Sequence, residues 1–179
     1  MFTARKDKTQ EILDKYLDAD FSCFACGEDA PSEKELTELG KELGLQFPDE
    51  FIAHSTSKLG GIYIEVKEAI WPETKLYDVG PFWSFLRGLW VYGFGSAIPD
   101  WMNFAQAAKT FRQETGLQEV PFLKIIGDAD VYCFAASGNI VRWNHELGEF
   151  DAINKSFFQL FEEEVRALKQ RKERKKAGT

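Results

Sequence analysis

The chain has 179 residues, of which 44% are hydrophobic, 28% charged and 15% aromatic, with a formal net charge of −7. That length suits one domain of ordinary size, and the composition excludes both intrinsic disorder and a fibrous repeat. The longest apolar run, residues 131–136, is far short of the roughly 20 needed to span a bilayer, no apolar leader opens the chain, and three cysteines build no disulfide framework, so a cytoplasmic protein is expected.

Residues 5–18 predict a short helix with Ile12, Leu13, Tyr16 and Leu17 on one side. FSCFACGEDAP (21–31) breaks that pattern and reads as a loop. Ser32 followed by Glu35 is a capping box, in which hydroxyl and carboxylate satisfy each other's orphan amides. Leu36, Leu39 and Leu43 then recur at helical spacing, and Gly44 supplies a left-handed stop. Pro48 with Asp49 and Glu50 predicts a second helix start, carrying Phe51 and Ile52 inward and ending at Gly60-Gly61. IYIEVKE (62–68) and LWVYGFG (89–95) predict strands around an irregular 69–88, and residues 101–115 a helix closed by Gly116. Alternation in 89–94 points Trp90, Tyr92 and Phe94 to one face, expected to be the inner one.

The last third contains FLKII (122–126), VYCFA (131–135) and IVRWN (140–144), separated by turn-forming GDAD and ASGN. Connections that short favour antiparallel pairing, because parallel strands need a crossover. Ser156 and Gln159 form a second capping box, and Phe157, Phe161, Val165 and Leu168 make a stripe down the helix that follows. The elements together predict an α+β fold in a single domain. It is a mostly antiparallel sheet with a C-terminal three-strand meander, about 122–144, packed against N-terminal and C-terminal helices. The domain is expected over residues 1–168, with 169–179 a basic, frayed helical tail.

ELGLQFPDEFIAHSTSKLGGIYIEV (42–66) and PFLKIIGDADVYCFAASGNIVRWNHELGEFDAINKSFFQLFEE (121–163), in that order, resemble the SUKH superfamily of the Smi/Knr type. That group contains the yeast cell-wall-assembly regulator and many bacterial proteins resembling toxin-immunity factors. The resemblance implies a sheet packed on helices, no catalytic machinery and a role in binding another protein. For bacterial members it implies neutralising a polymorphic toxin, frequently a nuclease, delivered by a neighbouring cell; the mechanism expected here is steric occlusion of the toxin's active site. A regulatory scaffold in the style of the fungal relatives is the alternative, and an enzyme the third.

Charge is compatible with such a partner. Residues 166–179 carry a net +6, so the remaining 165 residues carry −13. Nuclease toxins tend to be basic because they hold phosphates, and an acidic body steers cationic partners in. The tail RALKQRKERKKAGT reads as a solvated helix end, with RNA or an acidic partner as the sharper alternative. Nucleic acid is otherwise not expected as a partner, nor is a membrane.

No catalytic, cofactor-binding or metal-ligating set is expected. Cys23 and Cys26 form a C-x-x-C, but a structural zinc needs four ligands and only Cys133, His54 and His145 remain. His145 lies at a strand end without a nucleophile partner, and neither Gly60-Gly61 nor Gly93-Phe94-Gly95 continues into a phosphate-binding motif. Eight aromatics fall between Phe82 and Phe104; most are assigned to the core, leaving Trp83, Arg87 and Trp101 as partner-binding candidates. Asp128 and Asp130, with Glu146, Glu149 and Asp151, are the second candidate, a negative patch on the rim of the meander.

Overall fold

The computed structural model describes residues 7–178. A seven-stranded sheet is built from β1 (Phe21–Phe24), β2 (Tyr63–Val66), β3 (Gly88–Val91), β4 (Val120–Ile125), β5 (Val131–Phe134), β6 (Ile140–Asn144) and β7 (Glu149–Ala152). Every strand pairs antiparallel with its sequence neighbour, so the expected three-strand meander extends across the whole sheet. Five α-helices accompany it: α1 (Lys8–Tyr16), α2 (Glu33–Leu43), α3 (Asp49–Ser55), α4 (Phe104–Thr115) and α5 (Phe157–Ala177). The α+β architecture is as the sequence predicts. The part of the expected first helix at residues 5 and 6 lies outside the described residues.

Local signals explain most boundaries. Ser32 and Ser156 both form complete capping boxes, with Glu35 and Gln159. Gly44 and Gly116 close α2 and α4 in the left-handed conformation. Several boundaries differ from the sequence reading: α1 stops at Tyr16, β2 and β3 are shorter than 62–68 and 89–95, and α4 starts at Phe104 after a 3-10 turn over Asp100–Met102. α3 ends at Ser55 rather than at Gly60-Gly61 because Thr56 caps it, its hydroxyl donating to the Ile52 carbonyl at 2.9 Å. The segment read as a loop, 21–31, opens with β1, which is held by its register against β2.

One face of the sheet carries the main core. Ile64 and Val66 of β2, Leu89 and Val91 of β3 and Ile125 of β4 pack with Ile12 of α1, Phe51 of α3 and the predicted α5 stripe, all buried. Phe122 enters this core at a β-bulge between Pro121 and Leu123 and stacks on Phe134 at 4.0 Å. Burying a side chain of this size contributes roughly 2–3 kcal/mol, so α5 is fixed chiefly by its four-residue apolar stripe.

The inward residues of β3 are therefore Leu89 and Val91. Trp90 and Tyr92, expected inside by alternation, stand half-buried on the opposite face, while Phe94, beyond the end of β3, packs on Phe47 and Phe104 in the main core as expected. Both alternate sets are apolar, so periodicity alone does not say which faces the helices.

A candidate partner-binding face

The face turned away from α1, α3 and α5 is defined by strand register. Phe24, Tyr63, Trp90, Lys124, Val131, Trp143 and Phe150 are partners in turn across all seven strands. Residues directly opposite one another in an antiparallel pair share a face, so this is one transverse row containing five aromatic rings. Phe24 stacks on Tyr63 at 5.0 Å and Trp143 lies 5.0 Å from Phe150.

Trp101 sits on this row from outside the sheet. A 3-10 turn over Asp100–Met102 holds it edge-on to Trp90 at 5.3 Å and to Tyr63 at 5.7 Å. It remains 54% exposed. Beside it a groove of about 540 Å³ runs between α4 and strands β4 to β6. Tyr92, Trp101, Phe111 and Trp143 supply its apolar lining, while Asp100 and Glu114 stand exposed along it.

One half-buried cation, Lys124, lines the floor of the groove. Lys124 donates from Nζ to the carbonyls of Ala129 and Asp130, each at 3.0 Å. Burial pushes its ammonium below the usual lysine range, against the pull of Asp128 and Asp130. Burial also moves the Tyr92 phenol up to about 12, so this hydroxyl stays neutral. The floor of the groove is thus satisfied internally, and the charge offered at its rim is negative.

The other candidates that the sequence suggests are spread across the molecule. Arg87 bonds Glu65 at 3.0 Å and Glu73 at 2.7 Å and is largely covered. Trp83 packs against the core, edge-on to Trp71 and beneath the guanidinium of Arg174 at 4.3 Å. Asp128 and Asp130 share Arg142, at 2.9 and 3.2 Å, and Asp130 also accepts from the His145 amide. Glu146 and Glu149 are exposed on the β6–β7 hairpin with Leu147 between them. Of the seven, Trp101 alone stands on the aromatic row.

A second cleft, of about 1120 Å³, lies between α1, α3 and the start of α5 and is rich in carboxylates. Three of its five acids have internal work. Asp7 caps α1, Glu50 accepts from the Phe158 amide at 2.9 Å, and Glu162 binds Lys15 and Tyr16.

The histidines and cysteines are dispersed. His54 is buried against Phe51, Phe157 and Phe161. His145 is exposed at a turn. Cys26 and Cys133 are buried, and burial raises both thiols above their usual range, whereas Cys23 is exposed. Among the described residues no cluster of His, Cys, Asp or Glu is placed to hold a metal ion.

A family model described as the SMI1 / KNR4 family (SUKH-1) matches residues 30–163, well over half of the chain. No curated protein and no solved structure matches it. The match takes in β2 to β7, Trp101 and the groove; β1 and the last two-thirds of α5 lie outside it.

Proposed function

The chain belongs to the SMI1 / KNR4 family (SUKH-1), a family that includes immunity proteins and fungal regulators, and from this we propose that it is a non-enzymatic immunity protein that captures a cationic toxin domain. The observation that carries the reading is the aromatic row with the acid-rimmed groove beside it. Tryptophan and tyrosine dominate the energetics of protein interfaces when they sit at the centre of a desolvated patch. Here Tyr63, Trp90 and Trp101 form a pre-packed group, so little side-chain freedom is lost on binding. Asp100 and Glu114 at the rim, and the acidic body behind them, favour arginine- and lysine-rich surfaces and speed their approach.

In this mechanism the protein performs no chemistry. It covers the phosphate-binding surface of the toxin with an acidic, aromatic face and excludes substrate by bulk. Co-expression with a basic toxin domain, sought first in the neighbouring gene, tests the proposal: growth is restored by the native chain. Trp101→Ala is expected to weaken the purified complex by roughly ten- to a hundredfold, while the thermal midpoint of the free protein changes little, since the ring is mostly exposed. Absence of rescue, with co-purification of an endogenous partner instead, assigns the chain to the regulatory scaffolds.

A further inference from the structure

The groove beside Trp101 holds two carboxylates that nothing in this chain neutralises. Asp100 and Glu114 line it and are exposed, and among the described residues neither side chain has a hydrogen-bond or ion-pair partner. The acids on the neighbouring turn are different, since Asp128 and Asp130 are held by Arg142. Lys124 is the one lysine or arginine in the lining, and its Nζ is already taken by the carbonyls of Ala129 and Asp130. The cations of α4 do not enter the groove. Arg112 turns its guanidinium to the carbonyls of Leu43 and Gln118, and Lys109 stands outside the lining.

Each free carboxylate has aromatic surface beside it. Asp100 precedes Trp101 on the 3-10 turn that leads to α4. The Trp101 plane lies at 83° to Tyr63 and 85° to Trp90, and those contacts leave more than half of the side chain uncovered. Glu114 follows Phe111 by one turn of α4, and Phe111 meets Trp143 across the groove at 6.0 Å. Glu114 also lies in the last turn of that helix, about 15 Å along its axis from Phe104. Two pairings of carboxylate with aromatic surface are thus set well apart in one groove.

We infer that the groove holds two arginine side chains of the captured protein, one at Asp100 and Trp101 and the other at Glu114 and Trp143. The inference rests on the protein-capture reading above and names what that surface takes. A guanidinium is planar and weakly hydrated, so it stacks on an indole while its edge donates to a carboxylate. An ammonium is a compact, strongly hydrated charge and gains less from the same surroundings. Pro121 and Val131 in the lining give the methylene stems an apolar seat. In an extended segment, at about 3.3 Å per residue, arginines four positions apart stand about 13 Å apart, so Arg-x-x-x-Arg reaches both acids.

The probe is the blocked peptide acetyl-Arg-Ala-Ala-Ala-Arg-amide, titrated into the full chain and followed by the indole N–H signals of Trp101 and Trp143. Both signals are expected to shift, with an affinity about fivefold above that of the lysine analogue. Asp100→Asn and Glu114→Gln should each weaken binding by roughly two- to fivefold, and a peptide with one arginine replaced by glutamine should bind more weakly than the parent. Both acids are exposed and unpaired, so these isosteric variants keep the native melting temperature. Equal affinity for the lysine analogue, indole signals that do not move, or binding unchanged by both substitutions would overturn the inference. A toxin complex of unaltered affinity in the double variant would also overturn it while leaving toxin capture in place. Peptide binding as expected, with no toxin neutralised on co-expression, would remove the toxin and keep the arginine site.

Discussion

His54 is the residue at which burial and ionisation conflict most sharply. Its ring packs among Phe51, Phe157 and Phe161, and Nδ1 lies 3.0 Å from the Thr9 hydroxyl. Burial brings its pKa down to about 4, the distant attraction of Asp7 only partly opposing it. The folded state therefore holds its neutral form while the unfolded chain protonates near 6.5. Stability from this site is complete above that unfolded value and is lost as pH falls towards the folded one, by roughly 3 kcal/mol at the bottom of the window. Urea melts of the native chain and of His54→Leu at neutral pH and at about pH 4.5 check this: the gap between the two proteins should shift in favour of the variant on acidification. A gap that stays constant removes the argument. Nothing in the sequence singles out His54 for this role, because its neighbours come from α1 and α5. The capping pairs Ser32–Glu35 and Ser156–Gln159, by contrast, are legible, since all their atoms lie within three residues. Asp128 and Asp130 read as a free acidic patch for the same reason that His54 gives no signal: Arg142, which neutralises them, arrives through the β5–β6 register.

At the scale of elements, most of the helices and the meander are readable because capping and turn chemistry are local. β1 is not, since Ser22 and Cys23 interrupt its apolar character and its partner β2 lies some forty residues on. The aromatic row is equally hidden. Phe82 to Phe104 announce an aromatic cluster, but Phe24, Tyr63, Trp143 and Phe150 join Trp90 only once seven strands are in register. That register is held in part by a backbone contact between glycines that the sequence alone presents as ordinary turns. Gly93, at the end of β3, lies against Gly61, which leads into β2, and a Cβ on Gly93 would stand 2.5 Å from the Gly61 Cα. Both partners are backbone, so neither can rotate away. Gly93→Ala is accordingly expected to destabilise the fold by about 1–3 kcal/mol, read as a fall of several degrees in melting temperature. Because the strain separates β2 from β3, it should also disturb the Tyr63–Trp90 stack, visible as a change in near-ultraviolet circular dichroism. An unchanged melt would show that these strands are held by their side chains alone.

For the whole molecule, the division of charge between an acidic body and a basic end is also a division of contacts. Composition presents residues 169–179 as the solvated, frayed end of the last helix, and α5 runs through them to Ala177. Lys172 is fully buried within it, bonded to Asp18 at 2.6 Å and Asp20 at 3.1 Å, and its ammonium lies 5.1 Å over Phe21. Burial opposes its charge, but the bonds from Asp18, Glu173 and Asp20 outweigh that, and its pKa is raised. Both aspartates are correspondingly lowered, Asp18 chiefly by Lys172 and Asp20 by Lys176 and Lys172. The end of the chain thus ties α5 to the turn that leads into β1, joining the two termini of the fold. Removing residues 169–179 leaves Asp18 and Asp20 without cations and uncovers Trp71 and Trp83. Hydrogen bonds to charged groups contribute about 1.5–3 kcal/mol each, so the shortened chain is expected to lose about 3 kcal/mol or more, with its urea midpoint falling to match. Lys172→Met, which keeps the buried stem and removes only the charge, should reproduce part of that loss and none of the exposure of the tryptophans. If the shortened chain melted with the native one, the last eleven residues would be no more than the solvated, frayed helix end that their composition describes.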